Sequence, residues 1–388
     1  MIANDVTRMC VEFFERNLPK GGKPVSEREW TVLSAIVQEM DSKLDVVSMG
    51  TGTKCLGADQ MSESGDVLND SHAEIVTRRA FLRYLMEQMV LAREKKRSIF
   101  AIDGESGKFS LQTECKFHFF TTHSPCGDAS IFPRNPATVE ENVEDEPAAK
   151  RARLPEDNFT GGKLIGQSTG DLMDQTVGCV RTKPGRGVAT LSASCSDKMA
   201  RWCVMGLQGG LLMNVLTSPI YLSSVIYPRD AILDKKATER ALWGRFTNHL
   251  VIPSATFHIH RPDVLVATEH FAFPFIRHPS HDQCQPCPAS VVWSRVPERP
   301  HEVAVAGRRQ GVTRKKLKTP VARLLIAKGA LFDRYTTIFT PANTPRVDLS
   351  YQEAKDKDYT ALTQWLRQHY FKVWPTKGEK YLKFTTTN

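Results

Sequence analysis

His72-Ala73-Glu74 is followed 54 residues later by Pro125-Cys126. A neutral imidazole, a carboxylate two residues on and a thiolate have the composition of a hydrolytic zinc site, where His and Cys hold the ion and Glu moves protons. Position 129 is Ala, so no C-x-x-C pair is formed and a third ligand must come from elsewhere. The candidates are Cys115, Cys179, Cys195, Cys203, Cys284 and Cys287. Cys195, in Ser194-Cys195-Ser196-Asp197-Lys198, directly precedes an expected helix, the setting also expected of His72 and Cys126. Cys203 falls inside that helix between Trp202 and Val204, where it suits packing. Three protein ligands with an open fourth position define a catalytic rather than a structural zinc.

Each half of this pattern has a competing explanation. Ser71-His72-Ala73-Glu74 is also S-x-x-E, a capping box in which Glu74 would serve only the helix backbone. His278, His281, Cys284 and Cys287 spell H-x-x-H then C-x-x-C, which could close a structural metal site, but they sit in a Pro-rich loop without a nearby H-x-E. Helical phase exposes a further oddity. Ile75, Leu82, Met86 and Met89 share one face, and Arg78 and Arg79 flank it at three- and four-residue spacing. Lys198 and Arg201 repeat the pattern on the helix after Cys195. Such cations either snorkel to solvent or meet buried anions.

Composition bounds the setting. The 388 residues, 41% hydrophobic, can bury a sizeable core, and no apolar run approaches the length of a bilayer span. The first 18 residues lack the apolar core of a secretory signal, and nine irregularly spaced cysteines suit a reducing compartment, so an intracellular protein is expected. Formal net charge is +9, and residues 301–388 hold 17 Lys+Arg against 7 Asp+Glu, which accounts for the whole excess. Nucleic acid or another polyanion fits such a balance, as does a solvated surface.

The elements that must position these groups can be read coarsely. The spacing predicts an amphipathic helix over 26–40 and paired strands over 44–49 and around 55–56, joined by Gly50-Thr51-Gly52-Thr53. A helix should run from 72 to 93, a strand over 115–122, a second helix over 196–212 and a strand over 220–227. Further helices are expected over 320–331 and 351–371. Residues 134–178 read as a partly flexible insertion, acidic and Pro-rich at the start. The order implies an α/β fold with a helical carboxyl-terminal extension, one domain over 26–388 preceded by a segment over 1–25.

Leu68-Asn69-Asp70-Ser71-His72-Ala73-Glu74-Ile75, Ser124-Pro125-Cys126-Gly127-Asp128-Ala129 and Ser194 through Trp202 together resemble the adenosine-to-inosine RNA deaminases, with the tRNA-specific branch most similar. The resemblance runs from about residue 44 to 384. It implies a cytidine-deaminase-like core, a mixed sheet flanked by helices. His72, Cys126 and Cys195 would hold zinc, which makes hydroxide available near neutral pH for attack on C6 of adenine, with Glu74 as proton shuttle. It also implies inositol hexakisphosphate as a buried cofactor, matched by Asn69, Ile75, Arg78, Arg79, Lys198, Arg201, Trp202, Gly209, Tyr351, Lys355, Tyr359, Trp374 and Lys377, with Lys316 or Lys318 as a further contact. Asp70 and Lys198 would relay between metal and polyanion.

On the substrate side, Thr53 and Lys54 match positions near the flipped base. Arg186 stands where duplex editors insert a glutamate, which favours a loop substrate. The resemblance implies as target the adenosine immediately 3′ of the anticodon in alanine tRNA; with His72 so near the amino terminus, no double-stranded-RNA-binding domain is expected ahead of it, which suits a compact folded tRNA. Duplex-RNA editing and a catalytically silent RNA- or inositol-phosphate-binding scaffold are the alternatives. Retention of Glu74 speaks against the scaffold, which needs no proton shuttle. Lys150-Arg151-Ala152-Arg153 resembles a nuclear import signal, leaving cytoplasm and nucleus both open.

Overall fold

The computed structural model describes residues 1–26, 28–132, 163–164, 177–183, 188–246, 251–275, 284–340 and 349–386. Its centre is an eight-stranded mixed sheet. In chain order the strands that matter are β1 (Leu33–Met40), β2 (Lys43–Thr51), β3 (Thr53–Cys55), β4 (Asp70–His72), β5 (Lys116–Thr121), β6 (Ser224–Tyr227), β7 (Asp263–Val266), β8 (Ala289–Ser294), β9 (His301–Val305) and β10 (Arg308–Arg309). The sheet order is β7-β6-β5-β1-β2-β8-β9-β10. β6 runs parallel to both β5 and β7, and the remaining ladders are antiparallel.

The segment expected as a helix over 26–40 is instead the central strand β1. Leu33, Ile36, Val37 and Met40 happen to repeat at helical spacing, but Leu33 to Val37 are buried on both faces between β2 and β5. A strand covered on both sides reads as a continuous apolar run and loses the alternation that would reveal it. The amino-terminal helix is α1 (Ile2–Asn17), whose Val6, Cys10 and Phe14 pack on the sheet face carrying Ala35, Val37 and Phe120. The opposite face carries Ile36, Phe117 and Phe119 and is covered by α2 (Ala73–Arg93) and α3 (Cys195–Met205). Three layers result, helix on sheet on helix.

Gly50 sets how closely α2 approaches. A Cβ there would lie 2.5 Å from Val76 Cγ1 and 3.0 Å from the Thr77 nitrogen. Thr77 Oγ1 donates to the Ser34 carbonyl at 2.9 Å, tying the helix to the sheet. The expected hairpin between 44–49 and 55–56 does not form: β2 pairs with β1 and β8, while β3 pairs with β4.

The helix expected over 196–212 is broken into α3 and α4 (Gly209–Met213), and α5 (Lys235–Leu242) follows β6. Gly206 and Gly209 adopt φ of 70° and 74°, which glycine alone takes up without strain. Gln208 fills the break, donating to the Met205 carbonyl at 2.7 Å and accepting from Ile220 N–H at 3.0 Å. The expected 320–331 helix begins only at Lys328, in α6 (Lys328–Phe339), after a 3₁₀ turn at Pro320–Ala322. The expected 351–371 helix is α7 (Lys357–His369), capped by Asp356, so Tyr351 and Lys355 lie in the turn before it. Among the described residues no helix is long and apolar enough to cross a membrane.

Candidate active site

β3 and β4 form a short antiparallel ribbon that pairs Thr53 with His72, Lys54 with Ser71 and Cys55 with Asp70. His72 ends β4 and is at once the N-cap of α2, with no side-chain capping hydrogen bond. The capping-box reading therefore fails: Ser71 belongs to the strand, and Glu74 is free for other work. Cys126 follows β5 and stands before a single 3₁₀ turn, Asp128–Ser130, rather than a full helix. Cys195 opens α3, whose N-cap Ser194 accepts from the Asp197 N–H.

These three elements converge. His72 Nδ1 lies 3.8 Å from Cys126 Sγ and 3.6 Å from Cys195 Sγ, and the Cys195 N–H donates to Cys126 Sγ at 3.3 Å. His72, Cys126 and Cys195 are the one group of three or more His, Cys, Asp or Glu with metal-holding spacing among the described residues. A tetrahedral zinc with Zn–S of about 2.3 Å and Zn–N of about 2.0 Å separates neighbouring ligand atoms by roughly 3.5–3.8 Å, so the donor set fits the ion. Its electrostatics agree. The hydrogen bond from Cys195, with Lys183 and His72 nearby, holds the Cys126 thiol well below its ordinary value. Burial and the neighbouring Cys126 push Cys195 up, and a divalent cation between the sulfurs would let both ionise.

Glu74 sits in the first turn of α2, 3% exposed, and its Oε2 has no hydrogen-bond partner. Burial, together with Cys126, raises its pKa above the usual carboxylate value, against the pull of His72 and Lys183. Thr53 Oγ1, on the strand facing His72, is likewise buried without a partner. Two such atoms beside the donor triad leave polar positions for a reactant to satisfy.

Lys183 is the residue that the motifs did not reveal. Its fully buried ammonium donates to Asp70 Oδ1 at 2.9 Å and to Cys195 Sγ at 3.0 Å. Burial opposes the charge, but Asp70 and the two cysteines outweigh it and hold the lysine well above its ordinary value. Asp70 also accepts from Ser192 Oγ at 3.0 Å and from Lys198. Burial is again outweighed: the two lysines keep Asp70 ionised well below the usual range. A continuous chain, Cys195–Lys183–Asp70–Lys198, thus leaves the triad.

It ends in a cavity of about 370 Å³. Asn69, Ile75, Arg78, Arg79, Lys198, Arg201, Trp202, Tyr351, Lys355, Tyr359, Trp374 and Lys377 all line it. Gly209 stands behind the wall, where a Cβ would come within 2.8 Å of Arg78 Nη2. Neither Lys316 nor Lys318 reaches the cavity; Lys328 and Arg367 take part instead. Eight cations face one another with Asp70 as the single acid in the lining. Snorkelling is not their solution. Arg78 Nε donates to the Leu207 carbonyl at 2.8 Å, Arg79 Nε to the Ile326 carbonyl at 2.6 Å, and Arg201 to Thr363 Oγ1 at 2.8 Å. Burial, reinforced by neighbouring cations, lowers Lys328 to about 6, Lys355 and Lys377 to about 8 and Arg79 to about 10.

A second set of charges braces the two cysteine segments. Asp128 and Asp197, each two residues after a cysteine of the triad, are fully buried. Arg245 bridges them, with Nη1 2.7 Å from Asp197 Oδ1 and Nη2 3.6 Å from Asp128 Oδ2, while Arg240 Nε adds a contact to Asp128 at 3.3 Å. The repeated Cys-x-Asp was visible in the sequence, but its arginine partner lies on a 3₁₀ turn 48 residues beyond Asp197. Arg186, His278, His281 and the basic run 150–153 lie outside the described residues. Cys287 is buried, with its Sγ 3.9 Å from the Gly22 carbonyl.

Residues 48–378 match the family model described as the adenosine-deaminase (editase) domain. The chain is similar to tRNA-specific adenosine deaminase 1 of Drosophila melanogaster, 38% identical over 401 residues covering 98% of this chain and 96% of that protein. It is similar to tRNA-specific adenosine deaminase 1 of Homo sapiens, 33% identical over 500 residues covering 98% and 99%. Similarity to the double-stranded RNA-specific editase Adar of Drosophila melanogaster, 33% identical over 275 residues, covers 69% of this chain and 39% of that protein.

Proposed function

The chain belongs to the adenosine-deaminase (editase) family, and from that premise we propose that it converts adenosine to inosine in tRNA, with zinc held by His72, Cys126 and Cys195. The observation that carries the chemistry is Glu74 Oε2, buried and without a partner next to the donor triad. The choice of tRNA is supported by similarity along almost the entire length of the tRNA-specific relatives, against the partial overlap with the editase.

Zinc, when bound, supplies Lewis acidity that brings a water toward ionisation at neutral pH. The remaining work falls to the chain. Glu74 accepts a proton at Oε2 from the attacking water and passes it to ring N1, then takes the second proton from the new C6 hydroxyl and delivers it to the amino group, which departs as ammonia; its raised pKa suits both transfers. Thr53 Oγ1 offers a hydrogen bond to the reacting nucleotide. Lys183 sets the charge on Cys195 and transmits the state of Asp70 and Lys198. The eight cations of the cavity call for a polyanion of matching charge density, and inositol hexakisphosphate is the reading we adopt.

The target we assign is adenosine 37 of alanine tRNA. An unpaired loop base costs least to extrude, which suits a site reached by a single flipped nucleotide. Nine irregularly spaced cysteines are in keeping with action in the cytoplasm or nucleus. The test is inosine formation at that adenosine in transcribed alanine tRNA, comparing the wild type with Glu74→Gln. Product is expected from the wild type, with a loss of about 10²–10⁴-fold in the variant. Equal inactivity of both proteins with zinc bound would overturn the assignment.

A further inference from the structure

We propose that Arg308–Lys318 forms a phosphate-binding ridge that holds the tRNA backbone beside the catalytic pocket. This rests on the tRNA reading above and extends it to a surface. Arg308, Arg309, Arg314, Lys315, Lys316 and Lys318 fall within 11 residues, and no acid occurs between Glu302 and Asp333. The cavity takes four cations from residues 301–388, namely Lys328, Lys355, Arg367 and Lys377. The ridge holds six, and none lines that cavity, so a bound polyanion there leaves their charge unanswered.

Three observations make the segment a built surface rather than a stray run. First, Arg314, Lys315, Lys316 and Lys318 are exposed, and among the described residues none of the six forms an ion pair. Second, the segment is shaped. Ala306 and Gly307, with φ of 47° and 72°, turn β9 into β10, and Arg308 Nη1 donates to the Leu317 carbonyl at 2.5 Å, which fastens the 3₁₀ turn Arg314–Lys316 against the hairpin. Third, the segment is anchored to the active-site ribbon. The Leu68 N–H donates to the Gly307 carbonyl at 2.9 Å, and a Cβ on Gly307 would meet the Leu68 oxygen at 2.4 Å and Leu56 Cδ1 at 2.8 Å. Leu56 follows β3, and Leu68 lies four residues before His72, about 13 Å along an extended chain.

Basic side chains on an edge strand also deter unwanted pairing, and β10 is such an edge. That role accounts for Arg308 and Arg309 only. The other four stand beyond the ladder, where there is no strand edge to protect. A folded RNA whose target base enters the pocket carries its flanking phosphates within a few nucleotides of this ridge, and closely spaced lysines and arginines neutralise them with release of counterions.

The experiment uses the full chain and a variant combining Arg314→Ala, Lys315→Ala, Lys316→Ala and Lys318→Ala, with a charge-retaining control, Lys315→Arg with Lys316→Arg and Lys318→Arg. Binding of alanine tRNA is measured across a salt series, and inosine formation is followed in parallel. For the alanine variant we expect a tenfold or larger rise in Kd and KM, little change in kcat, and a salt slope shallower by about 3. The arginine control should keep the wild-type slope, and the melting temperature should not move, since these side chains have no ion-pair partners. An unchanged Kd and slope in the alanine variant would overturn the ridge while leaving the deaminase reading intact. Wild-type binding that depends on the ridge, without inosine, would overturn the deaminase reading and keep the ridge. No binding of tRNA by the wild type would remove both.

Discussion

With no polyanion bound, the basic cavity should make the fold depend on pH, in a direction opposite to ordinary alkaline denaturation. Lys328 is lowered from 10.5 to about 6, and Lys355 and Lys377 to about 8, chiefly by burial. Each folded value lies below the unfolded one, so between them the unfolded chain binds more protons and stability rises with pH. At pH 7 the cost is ~5 kcal/mol for Lys328 and ~3 kcal/mol for each of the others, ~11 kcal/mol together. Residual solvent contact reduces this, and half of it, ~5 kcal/mol, already rivals the whole stability of a typical domain. Raising the pH from 7 to 9 should return ~3 kcal/mol on the same discounted scale, an increase in melting temperature of about 5 °C. The assay is calorimetry of protein produced without inositol polyphosphates, with and without added inositol hexakisphosphate. Added ligand should raise the midpoint and remove the pH slope, because the lysines then stay charged. Polyanion-free protein equally stable at pH 7 and 9, and indifferent to the ligand, would refute the reasoning.

Other perturbations read different parts of the site. Cys195→Ser should lower the zinc content of purified protein below one ion per chain, since a neutral hydroxyl replaces a thiolate 3.6 Å from His72 Nδ1. Arg245→Met should weaken zinc affinity about 10–100-fold in a competition titration, with partial rescue by Arg245→Lys, because the guanidinium ties together the segments that follow both cysteines. The start of α3 should survive that change, as Asp197 keeps the Arg181 N–H at 2.9 Å and Ser194 Oγ at 2.6 Å; wild-type affinity would argue against the brace. Gly50→Ala should cost about 1–3 kcal/mol in chemical denaturation, since the added methyl meets Val76 at 2.5 Å with the Thr77 backbone behind it.

Where the sequence was read correctly, the signal was local. The helix from His72, the strand before Ser124 and the helix after Ser194 are each announced by a short periodic run with a boundary residue, and each brings one member of the His72–Cys126–Cys195 group to its end. The misreadings have physical causes too. β1 imitates helical spacing because both of its faces are buried. The break between α3 and α4 depends on two glycines at positive φ and on a glutamine that satisfies the freed backbone groups, none of which disturbs the apolar pattern. Helix α6 starts later than expected because Pro320 opens only a 3₁₀ turn, and that shift places Lys328, not Lys316 or Lys318, at the cavity.

By itself the sequence displayed the H-x-E and P-C groups, His72, Glu74 and Cys126, with six cysteines open as a third metal-holding group, and more positive charge than an ordinary core tolerates. The tertiary structure decided how those charges are divided. It encloses Arg78, Arg79, Lys198, Arg201, Lys328, Lys355, Arg367 and Lys377 around one cavity and leaves the basic run ending at Lys318 on the surface. It also inserts Lys183 between Asp70 and Cys195, and Arg245 between Asp128 and Asp197. Side-chain type at short spacing, as in His72-Ala73-Glu74, is something a chain displays directly. Charge pairing is a property of distance in space, and residues separated by 48 or 113 positions become neighbours only when the sheet and its helices bring them together.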